Sequence, residues 1–328
     1  MDSSLAASSL LVVLNPAANR GKALRYRELA RKKAAEEGAE YIETSRAGEA
    51  EERARQAANE GRAVIVVGGD GSIHEVVNGL LAAEKRVPLG IVAAGSGNDF
   101  AWNTLQLPHD PVEAFERAFH GTLVNIDAGR VNGRYFANAF SIGLDADIAV
   151  TAHRLKRWPF MSGQRLYYSA TLKQLLFGYH RCPQLAFRLD ECEWMELRRY
   201  VLLAVSNGPT YGGGFRINPP ADPTDGWLRV CAIDYMPLLR ALRLLPVVQR
   251  GEHTGLPEVR FFQAQRIEIK SQSLVNIQLD GETMCARLSS RGSSWSTICE
   301  SVVYALCDFK ACILASNTYS LSLSGFWS

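Results

Sequence analysis

The chain has 328 residues, of which 47% are hydrophobic and 21% charged, and its formal net charge is only +2. This length favours two domains, and the small net charge gives no electrostatic reason to expect a nucleic-acid partner. No run of about 18 apolar residues predicts a membrane-spanning helix, and the N-terminus shows no secretory signal pattern. Seven cysteines without CxxC spacing predict reduced thiols in a cytoplasmic protein rather than disulfides or a zinc site.

The first third of the chain alternates strand and helix patterns. The predicted elements are strands at Leu10–Leu14, Tyr41–Thr44, Ala63–Val67 and Leu89–Ala93, helices at Arg20–Glu37, Glu49–Asn59 and Ile73–Ala83, and a further helix that begins at Asp99. Strands that alternate with helices of this length indicate βαβ units and a parallel sheet. Ligands bind such sheets at the carboxyl ends of the strands.

The pattern changes after about Leu123. Asn132-Gly133 lies between two alternating runs and predicts a β-hairpin. More strand patterns follow, interrupted by one helix at about Gly163–Phe177. We therefore predict an α/β N-terminal domain with a parallel sheet (residues 1–124) and a mainly antiparallel β-sandwich C-terminal domain (residues 125–290).

Two glycine-rich segments follow neighbouring predicted strands. The first comprises Gly68, Gly69, Asp70, Gly71 and Ser72, and the second Gly95, Ser96, Gly97, Asn98 and Asp99. Glycines let the backbone approach a ligand closely, and the N-terminus of the following helix favours phosphate. The first segment is neither a Walker A loop nor a GxGxxG motif. The alternative is a plain strand-to-helix turn, in which the polar residues cap the helix.

Other residues of interest lie outside these segments. Asn15, Arg20 and Gly21 follow the first strand and would reach the same edge of the sheet. Gly212, Gly213 and Gly214 form either a flexible loop or a site where the backbone approaches a substrate. His74 and His153 are expected to be packed or solvated.

Several segments together resemble the diacylglycerol kinase catalytic domain family, in particular its bacterial soluble members and their sphingosine and ceramide kinase relatives. The segments are NPAANRGKA, VVGGDGSIHEVVNGL, AAGSGNDFA, SIGLDADIA, RLYYSATLKQLL, VSNGPTYGGGFRINPPADPTDGWLRV and LDGE, and they span about Leu10 to Glu282. The resemblance implies an NAD kinase/diacylglycerol kinase-like fold. It also implies transfer of the γ-phosphoryl group of ATP to a lipid hydroxyl, with diacylglycerol as the favoured acceptor.

The resemblance also implies roles for particular residues. Nucleotide would be bound by Asn15, Thr44, Gly68, Gly69, Asp70, Gly71, Ser72, Gly95, Ser96, Gly97 and Asn98. Glu282 would be the general base, with Asp280 beside it, and Asp70 would hold the catalytic Mg²⁺. A structural Mg²⁺ site is implied at Asp225, with Asp222 as a weaker ligand. From the residues alone, a solvated acid in an Asp-Gly turn is the favoured interpretation of Glu282, and the resemblance reverses this preference.

Other functions share part of this pattern. NAD kinases and phosphofructokinases also carry GGDG, although the GSGND and DGE segments fit lipid kinases better. A non-catalytic nucleotide-binding protein with the same fold is a third possibility, against which Asp70 and Glu282 argue.

A lipid kinase must reach its substrate at a membrane surface. Two segments combine basic and apolar residues, namely residues 153–168, with Arg154, Lys156, Arg157, Trp158 and Phe160, and residues 236–250. Such segments suit peripheral contact with a membrane, here the inner face of the cell membrane, although the residues alone favour ordinary helices packed on the sandwich. A homodimer is conceivable.

The C-terminal tail, residues 291–328, is atypical for the family. Serine and cysteine become frequent there, and charged residues become scarce. One hypothesis is a frameshift near Cys285 to Arg291, which predicts a tail that makes no strand pairs with the first domain.

Overall fold

The computed structural model describes residues 10–155, 163–271, 273–285, 296–299 and 311–315. The first part of the chain contains β1 (Leu10–Leu14), α1 (Arg27–Glu36), β2 (Glu40–Glu43), α2 (Glu49–Glu60), β3 (Ala63–Gly68), α3 (Asp70–Leu81), β4 (Leu89–Ala93), α4 (Pro111–His120) and β5 (Thr122–Ile126). A 3₁₀ segment at Ala18–Tyr26 and a π-helical turn at Asp99–Thr104 complete it.

The second part begins with β6 (Gly129–Val131), β7 (Arg134–Phe136), β8 (Ala139–Gly143), α5 (Leu144–Leu155), α6 (Gly163–Phe177) and β9 (Gln184–Leu189). It continues with β10 (Arg198–Ser206), β11 (Leu228–Asp234), α7 (Leu238–Arg250), β12 (Val259–Ala264), β13 (Ile267–Ser271), β14 (Asn276–Leu279) and β15 (Glu282–Cys285). Two strands of the tail follow, β16 (Ser296–Cys299) and β17 (Ala311–Ala315).

The first domain is built on a six-stranded sheet with the order β2-β1-β3-β4-β17-β5. All neighbouring strands are parallel except β5, which runs antiparallel to β17. Successive β1 side chains point to opposite faces, so Leu11 and Val13 pack with α2 and α3, whereas Val12 and Leu14 pack with α1 and α4. This parallel sheet, covered on both faces, confirms the predicted α/β class.

Helices α2 and α3 pack unusually closely on one face of this sheet. The inner side of α2 is made of alanines, and Gly79 of α3 faces it. A Cβ on Gly79 would lie 2.3 Å from the Glu51 carbonyl oxygen. The close approach brings the N-terminus of α3 into a fixed position at the end of β3, because a displaced helix would leave a void in the core.

The second domain is a mainly antiparallel β-sandwich, as predicted. The sheet order is β15-β14-β8-β10-β9-β13-β16, with β11 and β12 beside β10. Its core takes side chains from two layers, Phe140 and Val205 from β8 and β10 in one layer and Phe187 and Ile269 from β9 and β13 in the other. The predicted Asn132-Gly133 hairpin is confirmed, because both residues have positive φ between β6 and β7.

Some element predictions need correction. The helix predicted from Arg20 begins as an α-helix only at Arg27, because Asn19, Arg20 and Gly21 are left-handed, with φ of 50°, 55° and 84°. Helix α3 begins at Asp70 rather than Ile73, so the acid-bearing glycine turn is also the first turn of the helix. The sandwich carries α5 and α7 besides the one helix predicted, α6, whose bounds are confirmed.

The tail pairs with both domains where the structure describes it. β16 pairs with β13, and β17 lies between β4 and β5 in the first sheet. The frameshift hypothesis predicted a tail without strand pairs to the first domain. The pairing of residues 311–315 with β4 and β5 contradicts that prediction. The remaining tail residues lie outside the described part of the chain, and the predicted domain boundaries stay predictions.

Two further observations bear on the predictions from composition. Among the described residues, no helix is long and apolar enough to cross a membrane. Cys182, Cys192 and Cys231 are free thiols.

Candidate active site

The two glycine-rich segments touch each other at the carboxyl ends of β3 and β4. An ideal Cβ on Gly69 would lie 2.8 Å from the Cα of Gly95, and one on Gly95 would lie 2.5 Å from the Cα of Gly69. The Ala94 amide donates to the Gly68 carbonyl at 2.7 Å, which holds the segments in this register. Only glycine fits at both contact positions, so the segments form one continuous backbone surface.

Helix α3 starts at this surface without a side-chain cap. Its N-cap is Gly69, which cannot accept a hydrogen bond from the first-turn amides. The N-terminus of a helix carries unpaired N–H groups and the positive end of the helix dipole. The first turn of α3 therefore has the form of a phosphate-binding site.

Asp70, the first residue of α3, holds the second glycine segment. Its Oδ2 accepts a hydrogen bond from the Asn98 amide at 2.7 Å. Its Oδ1 is buried and has no hydrogen-bond partner among the described residues. Burial and the nearby charges of Asp99 and Asp280 raise the pKa of Asp70 to about 6, against the opposing effect of the Asn98 and Phe100 amides.

Asn15 and Asn98 support the glycine segments with their side chains. Asn15 Nδ2 donates to Ser72 Oγ at 2.8 Å, and its Oδ1 accepts from the Ala17 amide at 3.0 Å. Asn98 is fully buried and left-handed, with φ of 59°, and its Oδ1 accepts from the Gly95 amide at 2.8 Å. Both side chains therefore shape the surface that a nucleotide would contact.

Thr44 lies at the same edge of the sheet, just beyond the end of β2. Its amide donates to the Leu14 carbonyl at 2.9 Å, and the residue is buried. The structure thus brings together the ends of β1, β2, β3 and β4, which carry all the predicted nucleotide-binding residues.

Asn19 also belongs to this site, although the sequence analysis missed it. Its Nδ2 donates to the Gly95 carbonyl at 3.2 Å. The left-handed turn Asn19–Gly21 bends the chain after β1 back over the second glycine segment. The Asn-Arg-Gly tripeptide was an available signal, because Asn and Gly are the residues that most readily adopt positive φ.

Glu282 reaches the glycine surface from the second domain. It is the exposed first residue of β15, and its Oε1 would lie 3.1 Å from a Cβ on Gly71. The carboxylate therefore lies against the first turn of α3. A base at this point faces the place where the helix N-terminus would hold a phosphate chain.

Asp280 has a structural role beside Glu282. Its two oxygens accept hydrogen bonds from the amides of Ala137, Asn138 and Ala139 at 2.8–3.0 Å. Its Oδ2 is also 3.2 Å from Nδ1 of His74 on α3. His74 is packed, as expected, and it joins the two domains beside the cleft.

The three consecutive glycines at 212–214 are all left-handed, with φ of 70°, 86° and 96°. A Cβ on Gly213 or Gly214 would meet nothing within 4 Å, so conformation rather than space calls for glycine. The Gly213 amide donates to Asp99 Oδ2 at 2.6 Å, across the cleft between the domains. The loop therefore fixes the acid that follows Asn98.

A half-buried acid and a buried tyrosine anchor the base of this three-glycine loop. The Tyr211 hydroxyl donates to Asp145 Oδ2 at 2.9 Å. Burial raises the pKa of Asp145 to about 6, against the stabilising hydrogen bond from Tyr211.

The residues predicted for a structural Mg²⁺ already have protein partners. Asp225 forms an ion pair with Arg229 and accepts from the Trp227 amide at 2.9 Å. Asp222 accepts from the Thr224 amide at 2.9 Å. The sequence analysis missed buried Asp127, whose Oδ2 accepts from the Gly226 amide in the same loop at 2.7 Å. Within the described residues, no cluster of three or more acidic, His or Cys side chains suits a metal, and this site stays a prediction.

Comparisons with known proteins agree with this architecture. Residues 9–131 match the family described as "Diacylglycerol kinase catalytic domain", and residues 138–291 match "YegS C-terminal NAD kinase beta sandwich-like domain". A Mycobacterium tuberculosis protein named diacylglycerol kinase is 33% identical over 229 residues, which are 68% of this chain and 71% of that protein. A Bacillus subtilis protein of the same name is 30% identical over 245 residues, 73% of this chain and 77% of that one.

Solved structures share the fold. The crystal structure of a diacylglycerol kinase from Bacillus anthracis has a TM-score of 0.62 at 20% identity and covers 85% of this chain and 91% of that chain. Another Bacillus anthracis chain has a TM-score of 0.72 at 20% identity and covers 94% and 96% of the two chains. At this level of identity, the likeness concerns the fold.

Proposed function

Because the chain belongs to the diacylglycerol kinase catalytic domain family, we propose that it is an ATP-dependent lipid kinase that converts diacylglycerol to phosphatidic acid. The observation that carries this proposal is the position of Glu282 against the first turn of α3. A carboxylate from one domain then faces a phosphate-binding helix terminus of the other, as transfer from a nucleotide to a hydroxyl requires.

The nucleotide phosphates would lie on the backbone surface formed by the two glycine segments. The N–H groups of the uncapped first turn of α3 would donate to phosphate oxygens. Asn15, Asn19 and Asn98 would act by holding this surface in shape, since their side chains bond to the segments themselves. Preorganised donors of this kind favour the charge that develops during phosphoryl transfer.

Asp70 offers a position suited to a divalent cation. Its buried Oδ1 has no hydrogen-bond partner in the described chain, and carboxylate oxygens are the ligands that Mg²⁺ prefers. When bound, Mg²⁺ would neutralise charge on the nucleotide phosphates. A cation would also lower the pKa of Asp70 from about 6 and keep the carboxylate ionised.

Glu282 would act as the general base. It would take the proton of the lipid hydroxyl while the hydroxyl oxygen forms a bond to the γ-phosphorus of ATP. The bond from that phosphorus to the bridging oxygen breaks, and ADP leaves with the electron pair. The exposed position of Glu282 at the start of β15 suits this role, because a substrate can reach it from the cleft.

The test is a transfer assay with γ-labelled ATP, Mg²⁺ and mixed micelles that contain diacylglycerol. Label is expected in phosphatidic acid with the native chain and is expected to disappear with Asp70→Ala and with Glu282→Gln. Glu84→Gln removes an exposed acid on the first domain and is the matched control, which should retain activity.

Other acceptors distinguish the proposal from its alternatives. A folded, ATP-binding chain that leaves lipid unlabelled would refute the proposal. Label in NADP⁺, with NAD⁺ supplied as acceptor, would instead identify an NAD kinase activity.

A further inference from the structure

Two neighbouring cavities, which share lining residues, lie beside α5 and α6. The larger, of about 250 Å³, is lined by residues of α5, among them Asp147, by Gln174 of α6 and by the loop that precedes β14. The smaller, of about 140 Å³, shares Thr151, Arg154, Gln174 and Arg181 with it. None of the residues that line either cavity belongs to the proposed nucleotide site.

The smaller cavity is strongly basic. Its lining includes Arg154, Lys173 and Arg181 and contains no acidic residue. All three basic residues are exposed, and none forms an ion pair with a residue that the structure describes. Such a cavity suits an anion the size of a phosphate group.

Asp147 favours the smaller cavity as the place of the anion. It lines only the larger cavity, where its Oδ1 accepts from Asn276 Nδ2 at 2.5 Å. Burial raises the pKa of Asp147, whereas that hydrogen bond and the charge of Arg181 lower it. A negative group would repel a phosphate from the larger cavity and favour the smaller one, which Lys173 lines.

An apolar stripe runs along the outer face of α6 beside this cavity. Tyr168, Leu172 and Leu176 are spaced four residues apart, and they are 53%, 56% and 57% exposed. Phe177, which is 68% exposed, lines the smaller cavity and connects the stripe to it. A row of large apolar side chains in water marks a surface that binds an apolar partner.

Helix α7 adds to this surface. Leu239 and Leu242 are exposed on α7, whereas Leu238 and Ala241 pack against the core formed by α5 and α6. The Tyr179 hydroxyl, just after α6, donates to the Met236 carbonyl before α7 at 2.8 Å. The apolar stripe of α6 therefore has a second apolar helix near its C-terminal end.

We propose that the stripe of α6 docks on an anionic phospholipid bilayer and that the basic cavity binds the phosphate of one lipid headgroup. This inference rests on the proposed lipid kinase function and identifies the surface with which such an enzyme would bind the membrane. Charge complementarity selects the occupant, because apolar side chains beside three exposed basic residues match a bilayer that presents phosphate above acyl chains.

This surface differs from the one that the sequence alone suggested. Lys156, Arg157, Trp158 and Phe160 of the earlier candidate segment lie outside the described residues. The surface proposed here uses the exposed side of α6 and the cavity beneath it. Arg154 and Tyr168 belong to the first candidate segment, residues 153–168, and Leu239 and Leu242 of α7 belong to the second, residues 236–250.

The test measures sedimentation of the full chain with lipid vesicles in the absence of ATP. One set of vesicles is phosphatidylcholine, and the other contains phosphatidylglycerol as well. The cavity variant is Arg154→Gln/Lys173→Gln/Arg181→Gln. The stripe variant is Tyr168→Gln/Leu172→Gln/Leu176→Gln, and the charge-matched control is Lys32→Gln/Arg55→Gln/Lys85→Gln, which changes exposed residues of the first domain.

The native chain should bind the anionic vesicles and leave the neutral ones largely in suspension. A basic residue near an anionic surface contributes roughly fivefold to the affinity for that surface. The affinity of the cavity variant, which lacks three such residues, should therefore fall roughly hundredfold. The affinity of the stripe variant for the anionic vesicles should fall at least about tenfold. Salt screens only the electrostatic part of the binding, so the binding of the native chain that persists at high salt should be absent in this variant. The control should bind like the native chain.

Three outcomes would overturn the proposal. The first is native binding by the cavity variant, and the second is an equal loss in the charge-matched control. The third is full displacement by soluble glycerol phosphate, which would identify the cavity as a site for a free phosphate ester. Thermal unfolding and ATP binding of each variant show whether it is folded.

The experiment separates this proposal from the proposed function. Vesicle binding is measured without catalysis, so a chain that docks as expected but labels no lipid would refute only the kinase proposal. A chain that labels diacylglycerol in micelles while its cavity variant docks normally would refute only the docking surface.

Discussion

Gly95→Ala should separate the two glycine segments and reduce both stability and transfer. A Cβ at this position would lie 2.5 Å from the Gly69 Cα and 2.5 Å from Asn98 Oδ1. Ordinary carbon contacts are about 3.5 Å, so one segment must move by about 1 Å. Neither neighbour is a flexible side-chain end, because one is backbone and the other is a buried amide that holds its own loop.

The expected cost in unfolding free energy is about 1–3 kcal/mol, which is typical of overpacking in a site that cannot expand. The effect on transfer should be larger, since a displacement of about 1 Å at a reacting centre can reduce the rate about a hundredfold. Urea unfolding measures the first quantity, and the labelled-ATP assay measures the second.

Gly255→Ala is the matched control. A Cβ on Gly255 would meet nothing within 4 Å, and this glycine does not have positive φ. Its substitution should change the unfolding free energy by less than about 0.5 kcal/mol. If Gly95→Ala proves as mild as Gly255→Ala in both assays, the backbone contact between the segments is not needed, and our account of the site is wrong.

Three further predictions concern acidic side chains. Because the pKa of Asp70 is raised to about 6, the unfolding free energy of the nucleotide-free chain should fall as pH rises from about 4 to about 6. In urea titrations at a series of pH values, Asp70→Asn should make that fall shallower, and an unchanged slope would contradict the raised pKa. Asp280→Ala leaves three backbone amides and His74 without their acceptor, so it should lower the unfolding free energy by about 3 kcal/mol. Asp280→Asn should lower it less, because Asn keeps an acceptor oxygen and tolerates the left-handed φ of 49°. Equal losses of the two variants in thermal unfolding would argue against the hydrogen bonds. Tyr211→Phe removes a hydrogen bond to the Asp145 carboxylate, so it should raise the pKa of Asp145 above about 6 in an NMR titration of the carboxyl group. The same pKa in the variant and the native chain would show that the hydroxyl does not stabilise the carboxylate.

The central strands of the first sheet, β1, β3 and β4, could be predicted from the sequence because they are buried on both sides. β1 and β4 were predicted with the bounds that the structure shows, and β3 was one residue short. Such strands are continuous apolar, β-branched runs that end at glycine or Asn-Pro, which gives a strong local signal. The start of α3 was misplaced because Asp70-Gly71-Ser72 has poor helix propensity and its cap is a glycine.

Contacts between distant parts of the chain were not predictable in the same way. His74 and Asp280 are 206 positions apart, and nothing local to either residue indicates the pairing. The same holds for Asp99 and the Gly213 amide. Helix α5 was missed because its first turn carries Asp145 and Asp147, which are weak helix formers in isolation but favourable at a helix N-terminus.

The position of β17 has a consequence for synthesis on the ribosome. The first sheet needs β17 between β4 and β5, yet this strand is made after the whole sandwich. Until then, the nascent first domain exposes the unpaired backbone edges of two strands, which invite wrong pairing. Completion of this domain therefore depends on a contact of very high sequence separation, the kind that slows folding and calls for chaperones. An N-terminal fragment expressed by itself would retain both open edges, so we expect it to aggregate where the full chain does not.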